Sequence, residues 1–319
     1  MTSFNAPTKV FIKSKNNINK ITNNYNTSLI IYAILATITN FIINDKLLAI
    51  SYTKVLIISL LITIIISYVI NIIKKEYSVK KLLKEDYNIS IAIIISLFLV
   101  DTNIYVQIIA ILVTLIIKTC FKKINISASL YGIMVILLYK YFNNAIDIPT
   151  ILISRKNIIN IMLDLNYLCP LLSIISFIYL FCSKSIKYAL VFSYLITFSI
   201  CTLLYGIINS NLYFAITELI TSGILFLSVY TLADYKMTPT ISEGNIIYGI
   251  ILGITSMILR IIAPSFAIIM PLMIGPVLTT KIDEISPKLK YNKKLYISII
   301  LVSLLLASIA IYIIATIYK

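Results

Sequence analysis

Glu218 is the residue of this sequence whose type and position most clearly suggest chemistry. It lies in the apolar run Ala215–Leu219, where the neighbouring side chains favour hydrocarbon over water. A charged side chain at such a site costs about 3 kcal/mol, so we expect Glu218 to serve an ion or proton pathway. The alternative is that Glu218 reaches an aqueous layer or pairs with Arg260, which is expected on the same side of the membrane. Both residues are assigned to the predicted ion pathway.

Two aspartates are weaker candidates, and the remaining chemistry is restricted by composition. Asp101 stands in a short polar turn, where a solvated helix cap is its expected role. Asp234 ends an apolar segment and either orders the next loop or binds a cation; ordering is the favoured interpretation.

The chain has no His, which excludes axial-His haem, His-ligated zinc and triads with an imidazole base. The four cysteines form no CxxC pair and lie in or beside apolar runs, so we expect them to act as small apolar residues. They are Cys120, Cys169, Cys182 and Cys201.

The composition indicates that a lipid bilayer surrounds most of the chain. Of the 319 residues, 60% are apolar and only 12% are charged, with a mean hydropathy of +1.00. A soluble domain is nearer one half apolar and one quarter charged, so a soluble enzyme is excluded. The net charge of +15 comes from lysines that mark membrane topology, and no nucleic-acid partner is expected. The abundance of Ile, Asn, Lys and Tyr is typical of AT-rich genomes and favours a bacterial inner-membrane protein.

Eleven apolar segments predict an all-α polytopic membrane protein with about ten or eleven transmembrane helices. They are residues 27–44, 54–73, 88–100, 104–119, 125–142, 166–182, 187–208, 212–233, 245–262, 265–280 and 295–317. Segments 88–100 and 265–280 are short, and the latter contains Pro271 and Pro276. Interrupted or re-entrant helices are therefore expected at these two segments.

The distribution of lysine and arginine predicts the orientation. Alternating loops place 20 basic residues on the side of the N-terminus and 7 on the other side. Basic residues are retained in the cytoplasm, so the N-terminus is expected to be cytoplasmic. Adding or removing one span in the middle would destroy this asymmetry, so it supports the segment count as well.

The predicted organisation follows from these segments. It comprises a cytoplasmic N-terminal segment (1–26), a first five-helix half (27–142), an external loop (143–164), a second five-helix half (165–283), and a cytoplasmic linker with the final helix (284–319). Because each half has an odd number of spans, the halves enter the membrane in opposite directions. This arithmetic predicts an inverted repeat.

Five of the seven glycines fall between residues 223 and 275, in a stretch with a recognisable pattern. In order, its residues are Leu232-Ala233-Asp234, Pro239, Gly244, Ile247, Gly249, Gly253, Leu259-Arg260, Ala267-Ile268, Pro276 and Ile282-Asp283. Gly249 and Gly253 share one helix face, so the simplest interpretation is a tightly packed helical hairpin. The pattern also resembles the D subunit of the Rnf electron-transport complex, related to the B subunit of the sodium-pumping NADH:quinone oxidoreductase. That family has a pattern like ATDPxTSPxTxxGxxIxGxxxGxxxxxIR followed by AILLMNxxxPxID.

The resemblance implies a flavin-carrying subunit of a membrane oxidoreductase complex rather than a stand-alone enzyme. Members bind FMN covalently through Thr in a motif like SGAT on the external face, hold a second flavin, and couple electron flow to Na+ or H+ translocation. In this chain Thr150 is the expected covalent site, with Asp234, Thr238 and Gly244 as further cofactor-binding positions. The implied partners are other Rnf-type membrane and peripheral subunits linked to ferredoxin or NADH.

Several departures from the family pattern leave an alternative open. Thr150 is not preceded by Ser-Gly-Ala, Met237 replaces the Thr of TSP, and Leu272 stands where Asn is expected. Without small residues the backbone approaches a phosphate less closely. The alternative is a non-redox transporter, channel or structural paralogue on the same scaffold that has lost flavin binding.

Overall fold

The computed structural model describes residues 18–43, 46–73, 88–98, 104–120, 127–142, 162–163, 168–211, 213–232 and 238–317. These residues form α-helices joined by short turns, and no strand occurs among them. The helices are α1 (Ile18–Ile43), α2 (Lys46–Ile73), α3 (Asn88–Phe98), α4 (Ile104–Cys120), α5 (Ala128–Phe142), α6 (Pro170–Cys182), α7 (Tyr188–Ile208), α8 (Tyr213–Thr221), α9 (Ile224–Leu227), α10 (Ser242–Ile262), α11 (Ile269–Tyr291) and α12 (Lys293–Ile317). A π-helical segment, Ser228–Leu232, continues α9, and a 3₁₀ turn, Pro264–Phe266, precedes α11.

The prediction of an all-α polytopic membrane protein is confirmed. Each of the eleven predicted segments coincides with helix, because long runs of Ile and Leu leave the backbone no other way to satisfy its hydrogen bonds in lipid. Five described helices are long and apolar enough to cross a bilayer, and a bent pair, α8 with α9 and the π-helical segment, makes six. The inverted repeat stays a prediction.

Four shorter apolar helices depend on their neighbours rather than on lipid: α3, α4, α5 and α6. With 11 residues, α3 is roughly 17 Å long, whereas the hydrocarbon layer is about 30 Å thick. All of residues 90–97 are buried. Side chains from α2 to α5 form their own core here, represented by Val55, Ile95, Ile111 and Ile136.

The bent helix pair lies outside the two segments at which an interruption was expected, 88–100 and 265–280. Residues 265–280 were expected to be interrupted, but α11 runs unbroken from Ile269 to Tyr291. Pro271 stands in its first turn, where a missing N–H costs nothing, and Pro276 lies within the helix. The break occurs instead at Gly223, where the chain bends by 55° between α8 and α9. Gly223 has φ +71°, a left-handed conformation that glycine adopts without strain.

The closest helix packing joins α7 to α10. A side chain at Gly249 would meet the Leu190 carbonyl oxygen at 2.8 Å, and one at Gly253 would meet the Tyr194 carbonyl oxygen at 3.0 Å. Both glycines therefore let two backbones touch, as small residues do in membrane helix pairs. The partner of this glycine face is α7, which does not adjoin α10 in the chain, so the contact is not the expected hairpin; α11 and α12 also pack on α10.

Candidate functional site

Glu218 and Arg260 form a buried ion pair between α8 and the last turn of α10. The Arg260 Nη2 group donates a hydrogen bond to Glu218 Oε1 at 2.9 Å. Arg260 Nε lies 2.6 Å from Glu218 Oε2, a charge contact without the geometry of a directed hydrogen bond. The side chains are only 7% (Glu218) and 10% (Arg260) exposed. Of the two interpretations given to Glu218 from the sequence, the structure shows the pairing.

The ion pair joins three parts of the second half. Arg260 Nη1 also donates to the Pro264 carbonyl oxygen at 3.0 Å, which fixes the 3₁₀ turn before α11. Glu218 lies on α8, five residues before the break at Gly223. Arg260 is at the C-terminal end of α10, where the helix dipole favours a positive charge. Any movement of the broken helix relative to α10 must therefore stretch or open this pair.

A second polar cluster lies at the opposite end of α10, around the loop 238–241. Asp283 Oδ1 accepts hydrogen bonds from the Thr240 N–H at 2.8 Å and the Thr240 hydroxyl at 3.0 Å. Lys187 Nζ donates to the Pro239 carbonyl oxygen at 2.6 Å. Burial lowers the pKa of the Lys187 ammonium, and the nearby Asp283 carboxylate partly opposes that change. Lys187, just before α7, and Asp283, within α11, thus both bind the loop 238–241.

Thr238 and Gly244, two of the predicted cofactor-binding positions, lie at the N-terminal end of α10. Thr238 is buried in the loop 238–241. A side-chain carbon added at Gly244 would lie 3.2 Å from Pro239 Cβ, 3.2 Å from Ser286 Cβ and 3.3 Å from Ile282 Cγ2. Side chains of the loop and of α11 therefore approach Gly244 closely.

Three predicted positions lie outside the described residues: Thr150, Asp234 and Asp101. The expected external loop, 143–164, is outside them as well, except for residues 162–163. Cys169 and Cys201 are buried and Cys182 is exposed, and all three are free thiols. Within the described part of the chain, no group of three or more Cys, Asp or Glu residues is arranged to hold a metal ion.

Sequence reasoning missed a set of hydroxyl groups that the fold brings together in the membrane interior. We name it the hydroxyl cluster; its members are Tyr25, Ser28, Tyr32, Tyr52, Ser173, Ser176 and Tyr230. They come from α1, α2, α6 and the π-helical segment, and all except Tyr25 are buried. The signal was present in α1, where Tyr25, Ser28 and Tyr32 follow helical spacing on one face.

The comparisons with known proteins find a family similarity in the second half of the chain. Residues 152–288 match the model of the NQR2, RnfD, RnfE family. This range runs from before α6 to the last turns of α11 and includes both the ion pair and the α7–α10 contact. A search of the curated proteins gives no match.

Proposed function

We propose that this chain, a membrane subunit of the RnfD/NqrB type over residues 152–288, works in an Rnf-like ion-translocating electron-transport complex. In this proposal it carries electrons through flavin between ferredoxin- and NADH-linked partners. It assembles with other Rnf-type membrane and peripheral subunits in a bacterial inner membrane, with a cytoplasmic N-terminus. The observation that carries the proposal is the family match over the part of the fold that holds the buried ion pair.

Flavin is the redox group of this proposal, and Thr150 is its candidate attachment point. A flavin accepts electrons singly or in pairs, which amino-acid side chains of this composition do not do at comparable potentials. Covalent attachment depends on Thr150 alone.

Covalent attachment is tested by in-gel flavin fluorescence of the complex. We expect a fluorescent band at about 36 kDa for the parent chain and a dark band for Thr150→Val. Ser154→Ala, four residues further on, is the matched control and is expected to remain fluorescent. A dark band for the parent, or fluorescence that persists in Thr150→Val, contradicts attachment at Thr150.

The ion pathway of this proposal runs past the Glu218–Arg260 pair. In the described geometry the Arg260 guanidinium balances the charge of the Glu218 carboxylate, so a passing cation or proton must compete with that guanidinium. Opening the pair exposes a carboxylate beside the break at Gly223, the kind of discontinuous helix at which transporters bind ions. Electron transfer that continues in Glu218→Gln while ion translocation stops would support this role.

One observation favours the structural paralogue as a second candidate function. A side-chain carbon added at Gly244, Gly249 or Gly253 would lie within 3.3 Å of the chain's own atoms, so helix packing accounts for this glycine pattern. Because Arg260 already pairs with Glu218, the structure argues against a transporter with a permanently open cation site. A structural paralogue would co-purify with the redox partners but show neither flavin absorbance nor ion flux.

A further inference from the structure

The corner between α11 and α12 lies at the end of the bundle where α1, α7 and α10 begin. The glycine contacts of α10 pair its first turns with those of α7, so these two helices run in parallel. The Asn24 amide, in the second turn of α1, donates to the Ser185 hydroxyl just before α7 at 3.0 Å. A side chain at Gly244, in the first turn of α10, would meet Ser286 Cβ of α11 at 3.2 Å. The last turns of α11, and with them the start of α12, are therefore at this end as well.

A single residue, Asn292, joins α11 to α12. Its N–H donates to the Lys288 carbonyl oxygen at 3.1 Å, which ends α11. Its side-chain oxygen accepts from the Leu295 N–H at 3.2 Å, the hydrogen bond of a helix N-cap, and its carbonyl oxygen accepts from the Tyr296 N–H at 3.1 Å. Local hydrogen bonds therefore fix the corner, and the residues on either side of Asn292 are held close together.

Four exposed lysines surround this corner. We name them the corner patch; its members are Lys288, Lys290, Lys293 and Lys294. No acidic residue follows Glu284 in the sequence, and Glu284 itself, one turn before Lys288, makes no ion pair with it. Within the described part of the chain, no carboxylate forms an ion pair with any member of the patch. The patch thus keeps a positive charge that the carboxylates of the fold do not balance.

The corner patch lies at the level of the lipid headgroups. From Lys293 onward α12 is long and apolar enough to cross a bilayer, and little of it is buried by the rest of the chain. Leu295 and Ile297 are exposed, so the hydrocarbon layer begins within about one turn of the patch. Tyr291 is 89% exposed, and tyrosine favours the interface between membrane and water. The lysine ammonium groups are therefore placed at the depth of phospholipid phosphates.

We propose that the corner patch binds the phosphate groups of anionic phospholipids of the phosphatidylglycerol class. A lysine ammonium group has three donors, and its hydrogen bonds to phosphate oxygens are charge-assisted. Clusters of four or more basic residues next to a membrane span attract anionic lipids in this way. A zwitterionic headgroup carries its own cation beside the phosphate, so the patch binds it less tightly.

A lipid fits the position of the patch better than an acidic soluble protein does. A phospholipid whose phosphate meets the lysines places its acyl chains against the exposed Leu295 and Ile297 of α12. One molecule therefore satisfies both the charged and the apolar part of this surface. A soluble protein could contact the lysines only by displacing headgroups, and it would leave the apolar residues to lipid.

Lipid at this corner stabilises more than the corner itself. The same end of α11 carries Asp283, which accepts hydrogen bonds from Thr240 in the loop 238–241. Ser286, one turn before the end of α11, packs against Gly244 at the start of α10. Holding the end of α11 at the headgroup layer therefore also holds this loop. The inference goes beyond the proposed function and depends on neither flavin nor ion translocation.

The test measures lipid binding to the purified full chain in detergent by native mass spectrometry. Phosphatidylglycerol and phosphatidylcholine with the same acyl chains are added at equal concentrations. We expect the parent chain to bind phosphatidylglycerol more tightly than phosphatidylcholine. We expect Lys288→Gln/Lys290→Gln/Lys293→Gln/Lys294→Gln, the glutamine variant, to lose roughly tenfold in affinity for phosphatidylglycerol, with binding of phosphatidylcholine unchanged. Its four positions are exposed, so it should unfold at the same temperature as the parent chain.

Two controls separate the corner patch from charge in general. Arginine at the same four positions keeps the charge and should keep the affinity for phosphatidylglycerol. Lys54→Gln/Lys140→Gln removes two charges from α2 and α5 and is matched to Lys293→Gln/Lys294→Gln; only the second pair should weaken binding.

Three lipid-binding results overturn the proposal: the glutamine variant binds phosphatidylglycerol like the parent, the arginine variant loses as much affinity as the glutamine variant, or the two double variants lose equally. An acidic protein that co-purifies with the parent but not with the glutamine variant, while lipid affinity stays the same, would assign the patch to a protein partner and overturn it too. The assay uses neither flavin nor redox partners, so it can fail while the flavin test succeeds.

Discussion

At the scale of single residues, burial decides how much the Glu218–Arg260 ion pair contributes to stability. Both charged groups have lost hydration on burial. Among the described residues, the contact between them and the Pro264 carbonyl oxygen offset this lost hydration. A buried pair of this kind adds little net stability compared with apolar residues of similar size. Losing one partner is costly, since it leaves a charge in a medium that cannot solvate it.

We predict that Arg260→Met destabilises the protein by about 3 kcal/mol or more, because the buried Glu218 carboxyl then loses the guanidinium that pairs with it. The double variant Glu218→Leu/Arg260→Met should regain much of this loss, since neither charge remains. Thermal unfolding in detergent measures both. Lys281→Met on α11 removes an exposed charge and serves as control, with an expected change within about 0.5 kcal/mol. Equal unfolding temperatures for Arg260→Met and the control would contradict the prediction.

The sequence identified Glu218 because a carboxylate in an apolar run is anomalous by itself. It could not decide between an ion site and the pair with Arg260, because 42 residues separate the two and their contact depends on how α8 and α10 cross. The unpaired Tyr52 hydroxyl was not predictable either. A tyrosine in an apolar helix looks ordinary until its neighbours are known.

At the scale of helices, backbone contact rather than side-chain interdigitation sets the distance between α7 and α10. The neighbours of Gly249 and Gly253 are largely main-chain atoms of α7. Main-chain atoms cannot rotate away as a side chain does, so this contact tolerates no added volume. In a membrane, where lipid competes equally for apolar surface, such close packing is a main source of helix association.

We predict that Gly249→Ala and Gly253→Ala each destabilise the protein by roughly 1–3 kcal/mol, because the two helices must separate. Gly132→Ala on α5 is the matched control. Its added carbon would meet only side-chain atoms, Thr114 Oγ1 at 2.5 Å and Ile95 Cδ1 at 2.7 Å. Those groups can move, so a smaller loss is expected. The measurement is thermal unfolding in detergent, and a loss at Gly132 as large as that at Gly249 would show that backbone contact is not the cause.

Helix positions were predictable from the sequence, but the location of the break was not. Unbroken runs of Ile and Leu predict helix in any bilayer, and the eleven segments were correct for this reason. Proline was given too much weight: Pro271 falls in the first turn of α11, and the helix continues through Pro276. The break follows instead from Gly223 in a left-handed conformation with Leu168 against it. That contact joins residues 55 positions apart and leaves no local signal.

At the scale of the whole molecule, the described residues form a smaller core from α2 to α5 and a larger core. The larger core gathers residues of α1, α6, α7 and α9 to α12 together with inward-facing residues of α2, α3 and α5. α1 contributes Leu29 and Tyr32 to the larger core and packs on α6. The hydroxyl cluster is thus assembled from α1, α2 and the second half. The outer faces of α1, α2 and α12 carry exposed Ile and Leu, as expected for surfaces in contact with lipid.

The distribution of lysines gives the last prediction, the orientation of the whole molecule. We expect a cysteine placed at Asp147 to react with a membrane-impermeant maleimide in intact cells, and one placed at Lys80 to react only after permeabilisation. The reason is that 20 of the 27 basic residues fall on the Lys80 side, and basic loops are retained in the cytoplasm. A Cys120→Ser/Cys182→Ser background leaves only Cys169 and Cys201 as native thiols, and both are buried. The reverse labelling pattern would invert the topology and place Thr150 in the cytoplasm.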